Sequence, residues 1–320
     1  MADQTTKSRA RRARTRGRTT GSGRIGISRL VLIIGFLLVL VAIVAVGISL
    51  RRGGSETGGA IATLRTGDFH ALAFSHSNPN TVFFGHHNGI MRSDDGGRTW
   101  TSLVDRPNFD AMSLAVSGAN GGPIYLAGHD VFQMSADGGK TWQPVKHNLP
   151  GTDIHGFAMS PDDSNRLYAL VAGQGGFQSG DGGRTWQPLG GLPGDVMALA
   201  AAGGSPETIY AGSMSAGVLR SADGGRSWAP ATNGLGARGV YALAIDPSAR
   251  QTIYAGVDGG LYKSVDAGAS WSKLAFPGDN AIALTVSPSQ PNVILAISVQ
   301  GQQGLVYRSE DGGQSWGASQ

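Results

Sequence analysis

From about residue 60 onward, short runs of alternating apolar and polar residues are separated by turns rich in Gly, Pro, Asp and Ser. Tyr241-Ala242-Leu243-Ala244-Ile245 alternates, Asp246-Pro247-Ser248 turns the chain, and Thr252-Ile253-Tyr254-Ala255-Gly256 alternates again. A period of two bounded by turn residues predicts strands joined as hairpins. A third short strand, Leu261-Tyr262-Lys263, runs into an eight-residue box that begins at Ser264 and ends at Trp271. The box is expected to turn the chain into a fourth strand. No 3.6-residue apolar period survives between the glycines and prolines, which argues against helical repeats.

The same box occurs six times and uses every tryptophan of the chain. Its aspartates and tryptophans are Asp95 and Trp100, Asp137 and Trp142, Asp181 and Trp186, Asp223 and Trp228, Asp266 and Trp271, and Asp311 and Trp316. The tryptophans follow one another at intervals of 42, 44, 42, 43 and 45 residues. Four antiparallel strands in each such interval predict an all-β fold, a six-bladed β-propeller with one box per blade. The fifth box position is always glycine, while the fourth also admits Ala267. Positive φ is therefore expected at the fifth position and not at the fourth. The aspartate can accept hydrogen bonds from the amides of its own turn.

The first sixty residues follow a different pattern. The run that starts at Leu30 and stops at Leu50 has 21 residues and no charge, about 31 Å as a helix and enough to cross a bilayer. It predicts a single transmembrane helix, with a cleaved signal peptide as the alternative. Nine basic residues precede it in a tail, residues 1–29, that is too polar to fold alone. Only Arg51 and Arg52 follow it closely. This asymmetry predicts a cytoplasmic N-terminus, a linker over residues 51–60 and an extracytoplasmic propeller over residues 61–320 on a cell membrane.

Composition narrows the chemistry. There is no cysteine, which excludes disulfides, thiolate metal sites and cysteine nucleophiles. Beyond residue 52 there are 15 Lys and Arg against 21 Asp and Glu, so the propeller is acidic and nucleic acid is not expected as its partner.

The pattern Ser-x-Asp-x-Gly-x-Thr/Ser-Trp resembles the Asp-box, or bacterial neuraminidase repeat, of sialidases, xyloglucanases, sortilin-type receptor domains and photosystem II assembly factors. All of these are propellers. The segments Phe69-His70-Ala71-Leu72-Ala73-Phe74 and Gly85-His86-His87-Asn88-Gly89 further resemble bacterial propellers called glycosyl hydrolase-like. The resemblance implies a closed ring over about residues 60 to 320. It does not select a function, because hydrolases, receptors and assembly chaperones share the box. Since the last copy runs only four residues past Trp316, the segment Ile61-Ala62-Thr63-Leu64 is expected to complete the sixth blade and close the ring.

Strand order places the boxes on one face of the disc and the loops leading into the innermost strands on the other, where the mouth of the channel offers a concave site. Aligning the copies puts His70, Met112, His155, Met197, Tyr241 and Ile282 at this mouth. Asp68, Asp110, Asp153 and Asp195 stand two residues earlier in four of the blades, and His86, His87, His129 and Asp130 end second strands on the same face. Two readings stand at this point. In the first, the aspartates make turns and the other side chains fill the mouth. In the second, the polar mouth binds a basic protein segment, sugar hydroxyls or a cation. No tight metal-ligand spacing is present, so neither a metal nor a cofactor is assigned.

The functional expectation is a binding or assembly module for a protein or glycan ligand at the face opposite the boxes. Even spacing leaves no room for a long active-site loop. Glycoside hydrolysis is the alternative, sialidase-like or otherwise exo-acting, with Asp68 and Asp153 as the candidate carboxyl pair. A sialidase would also need an arginine triad, and the closest match to its Arg-Ile-Pro motif, Arg106-Pro107, lacks the middle residue.

Overall fold

The computed structural model describes residues 58–317 apart from 120, 237 and 238. The basic tail, the apolar run and most of the linker lie outside the described residues. Among the described residues, no helix is long and apolar enough to cross a membrane. Six four-stranded antiparallel sheets follow one another along the chain. Blade 1 consists of Ala71–Phe74, Val82–His86, Gly89–Ser93 and Thr101–Asp105. Blades 2 to 5 repeat this order over residues 113–144, 154–188, 196–230 and 240–273.

Blade 6 draws only its three inner strands from the C-terminal end, and Ala62–Leu64 supplies the fourth. Ala62 pairs with Val306, Thr63 with Leu305 and Leu64 with Gly304. The N-terminal strand thus closes the ring, as its sequence pattern suggests. The sheets bury their faces against one another. One hydrophobic cluster fills each of the six seams between neighbouring blades, from Phe74 and Phe84 against Leu295 and Val306 at the blade 6 to blade 1 seam to Tyr254 and Leu261 against Ile294 and Tyr307 between blades 5 and 6.

The boxes share one set of local bonds, except that in blade 5 the Ala269 amide donates to the Asp266 backbone carbonyl rather than to its carboxylate. In blade 2, Ser135 Oγ donates to Asp137 Oδ1 at 2.8 Å and accepts from the Gly139 amide at 2.8 Å. Asp137 Oδ1 accepts the amides of Lys140 and Thr141 at 3.0 and 2.9 Å, and Oδ2 accepts the Thr141 hydroxyl at 2.6 Å. That hydroxyl, then the Thr141 amide, holds the Asp137 carboxyl down to about 2. The other five box carboxyls are also held below their ordinary range.

The backbone corrects one expectation. Both central residues of the box have positive φ, not the fifth alone. At the fourth position φ is 73° to 74° in the five glycines and 59° at Ala267. The left-handed well near +57° admits an L-residue at a cost of about 1 kcal/mol or more, so alanine survives there. At the fifth position φ runs from 83° to 97°. A Cβ there would also meet the neighbouring blade, for example Leu189 at 2.5 Å from Gly225 or Phe132 at 2.8 Å from Gly183. Conformation and space together therefore reserve the fifth position for glycine.

The turn also presents its fourth-position carbonyl to the preceding blade. Tyr125 donates its hydroxyl to the Gly182 carbonyl at 3.3 Å, Tyr210 to Ala267 at 3.2 Å and Tyr254 to Gly312 at 3.4 Å. Across the closing seam Arg308 donates to the Gly96 carbonyl at 3.2 Å. In the seam between blades 3 and 4 the hydroxyl of Tyr168 instead reaches the buried carboxylate of Glu207 at 2.8 Å. The repeated second-strand tyrosines are thus core residues with one polar end.

Trp186 is 5% exposed, donates Nε1 to Gly183 and packs edge-on against Phe132 of blade 2, so Trp186→Ala should cost about 3 to 5 kcal/mol in chemical denaturation. Ala267→Gly should raise stability by about 1 kcal/mol in the same assay by relieving the left-handed alanine. The depressed box carboxyls make a stabilising contribution that is fully present above their unfolded pKa near 3.8 and is lost as pH falls through about 2. Urea midpoints should therefore fall steeply between pH 4 and pH 2; a flat profile across that window would contradict the bonding described.

Candidate functional site

Hydrogen bonds fix which loops share a face with the boxes. The fourth-position amide of five boxes donates to a first-hairpin loop of its own blade, as Gly96 does to Asn80 and Gly224 to Glu207. The loops leading into the innermost strands therefore lie at the opposite rim, where the mouth residues are found.

The backbone carries these side chains on short, fixed segments. The amides of Ala172 and Met214 donate to the Asp153 and Asp195 carbonyls at 2.8 and 3.1 Å, and that of Asp258 donates to the equivalent Gly239 carbonyl. Asp110 sits between buried Phe109 and Ala111, with Arg106 stacked over the Phe109 ring at 4.3 Å. A Cβ on Gly128 would lie 1.8 Å from the Asp110 carbonyl oxygen. The absence of a side chain at Gly128 lets the Asp110 backbone approach this closely.

Six of the predicted residues converge in one cluster across blades 1, 2 and 3. Asp110, 1% exposed, is its centre. Its Oδ2 accepts from Nδ1 of His129 at 2.5 Å and from Nδ1 of His87 at 3.2 Å. Its Oδ1 lies 3.2 Å from His70 Nε2, off the hydrogen-bonding direction, so both atoms are buried without a hydrogen-bond partner. Burial alone would push the Asp110 carboxyl up, but the contacts and charge of His70 and His129 outweigh it and hold the group down to about 2. A carboxylate in this state is a fixed anion rather than a proton donor.

Farther along the rim, His129 Nε2 stands 3.3 Å from His155 Nε2 and 3.5 Å from Asp153 Oδ1, and His155 Nε2 stands 3.1 Å from the same oxygen. His87, His129 and Asp153 are about half exposed, while His70 and His155 are more covered. Asp68 lies at the margin, 62% exposed and 4.0 Å from His70. It also lines an open cavity of about 830 Å³ with Arg65, Ile282 and Gln303 between blades 6 and 1.

The remaining candidates lie apart. His86 is buried, stacks on Phe84 and accepts the Asn88 amide, and burial pushes its pKa down. Asp195 is committed to its own loop, accepting from the Ser213 hydroxyl at 2.7 Å and the Ser215 amide at 2.9 Å. Asp130 accepts from Thr152 at 2.9 Å, and Tyr241 of blade 5 and Met214 of blade 4 both border Gly239. The turn reading thus describes Asp195, while Asp110 and Asp153 take part in the cluster.

No protein-family model matches the chain, and no curated protein matches it either. Solved structures similar to it share its fold. The GH74 xyloglucanase from Xanthomonas campestris superposes with a TM-score of 0.59 at 22% identity over 80% of this chain, which spans only 46% of the xyloglucanase chain. YCF48 from Cyanidioschyzon merolae superposes with a TM-score of 0.52 at 18% identity, covering 80% of this chain and 86% of its own. YCF48 bound to D1 peptide gives 0.50 at 18% identity, with 80% and 83% covered. At these identities the likeness is one of fold: the chain is a six-bladed propeller similar in architecture to a glycoside hydrolase and to YCF48.

Proposed function

We propose that the chain is a membrane-anchored Asp-box propeller whose mouth, on the face opposite the boxes, binds a partner protein, most readily through a basic segment. The observation that carries this reading is the half-exposed His and Asp cluster spread over three blades on short loops, beside the exposed Asp68 and Asp130. Such a rim offers acidic acceptors across a broad surface, and the excess of acids over bases beyond residue 52 adds long-range attraction for a cation-rich segment. Peptide binding by YCF48, a propeller of similar fold, gives a precedent for this use of the architecture. A glycan ligand is the variant of the same reading in which the carboxylates accept sugar hydroxyls. The uncharged run from Leu30 to Leu50 supports an anchor with the propeller outside the cytoplasm.

Glycoside hydrolysis through Asp68 and Asp153 has less support. It requires a carboxylic acid kept protonated near neutrality. The Asp110 carboxyl at the centre of the cluster is held low instead.

A photo-crosslinking residue placed at His87 should yield a discrete protein adduct in the native membrane. The adduct should fade at high salt and in the Asp68→Asn/Asp153→Asn double variant. The same residue at Val265, exposed on the box face, should give none. Adducts from Val265 alone would place the partner on the other face and overturn the reading. A topology reporter fused after residue 60 should be active only outside the cytoplasm.

A further inference from the structure

We infer that His129, Asp153 and His155 form a site for a borderline transition-metal ion of the zinc type, with Asp110 as the outer carboxylate that orients His129. This inference is independent of what the mouth binds as a partner. It rests first on distances. The three donor atoms, His129 Nε2, His155 Nε2 and Asp153 Oδ1, are separated by 3.3, 3.5 and 3.1 Å. Nitrogen and oxygen ligands arranged tetrahedrally about 2.1 Å from a zinc ion stand about 3.4 Å from one another. The triangle therefore has the size that one shared ion requires.

The second support is the tautomer of His129. Its Nδ1 lies 2.5 Å from Oδ2 of the almost fully buried Asp110, and with Nδ1 donating there, Nε2 is left to present its lone pair towards His155 and Asp153. A ligating imidazole commonly donates its other N–H to a carboxylate in this way. Third, Asp153 Oδ1 and Asp110 Oδ1 are buried atoms without a hydrogen-bond partner. The Asp153 oxygen is one corner of the triangle, so an ion there would satisfy an acceptor that the protein leaves unmet.

Two imidazoles and one carboxylate suit zinc, cobalt or nickel rather than magnesium or calcium, which prefer all-oxygen shells. Because His129 and Asp153 are half exposed, the fourth ligand position opens to the rim and accepts water or an oxygen anion such as a carboxylate. A second triad, Asp68, His70 and His87, is looser, with His70 4.0 Å from Asp68, and its rings turn to Asp110 instead.

The test uses the full chain, stripped with a chelator and titrated separately with Zn(II), Co(II), Mg(II) and Ca(II). One Zn(II) per chain is expected, with a Co(II) derivative that shows the visible absorption of a tetrahedral complex and no saturable response to Mg(II) or Ca(II). His155→Ala and Asp153→Asn should each abolish the Co(II) spectrum while keeping the thermal unfolding midpoint of the stripped protein. Asp110→Asn should preserve the spectrum and weaken Zn(II) affinity about 10- to 100-fold. Asp195→Asn, on the same rim but outside the cluster, should change neither. Zn(II) binding that is absent, or that persists unchanged in a His129→Ala/His155→Ala variant, overturns the proposal and leaves the three side chains sharing protons alone.

Discussion

Every box has to reverse the chain through two consecutive residues of positive φ, and the remainder of the ring is built around that constraint. In four of the six boxes the fourth-position carbonyl of this turn takes a donor from the preceding blade. Tyr125, Tyr210, Tyr254 and Arg308 of the preceding blades supply it. Local strain is thereby converted into a bond between blades, next to the apolar seam that each tyrosine ring helps to fill. The fifth-position glycine serves the same seam, because in five of the six boxes the space denied to a Cβ is occupied by a leucine or phenylalanine of the neighbour, and at Gly268 by Ala231 and Tyr210.

This coupling explains why the fold was legible in the chain. The box is held by contacts no more than four residues apart, such as Ser135 to Gly139 and Asp137 to Thr141, so its chemistry is written in consecutive letters and repeated six times. Ring closure could be read because Ile61 to Leu64 copies the missing outer strand. The fourth box position was misread because Ala267 tolerates a left-handed conformation that composition alone makes look unnecessary.

The candidate site was legible in its location more than in its contacts. Aligned blades brought the acids and imidazoles to one rim, but the four aspartates look alike in sequence and differ in what surrounds them. Asp195 finds Ser213 beneath it, as Asn280 finds Ser298, and each is absorbed by its loop. Asp110 has Gly128 at the corresponding place and turns to His70, His87 and His129 instead. The same alignment pairs His86 with Ser213 and His87 with Met214, which was the available signal that His86 points into the blade. What no alignment of single residues conveys is distance: the 3.1 to 3.5 Å triangle of His129, Asp153 and His155 depends on how far two blades are rotated about the channel.

The seams are not equal. Between blades 1 and 2 the tyrosine position holds Phe83, which has no hydroxyl to offer the Gly138 carbonyl, so that seam lacks the polar clasp found in four of the others. Its opposite rim is where Asp110 of blade 2 meets His70 and His87 of blade 1. Beyond its apolar cluster, the side-chain polar contacts across this seam accordingly gather at the mouth rather than at the box, so the residues that would meet a ligand are also those that tie blade 1 to blade 2.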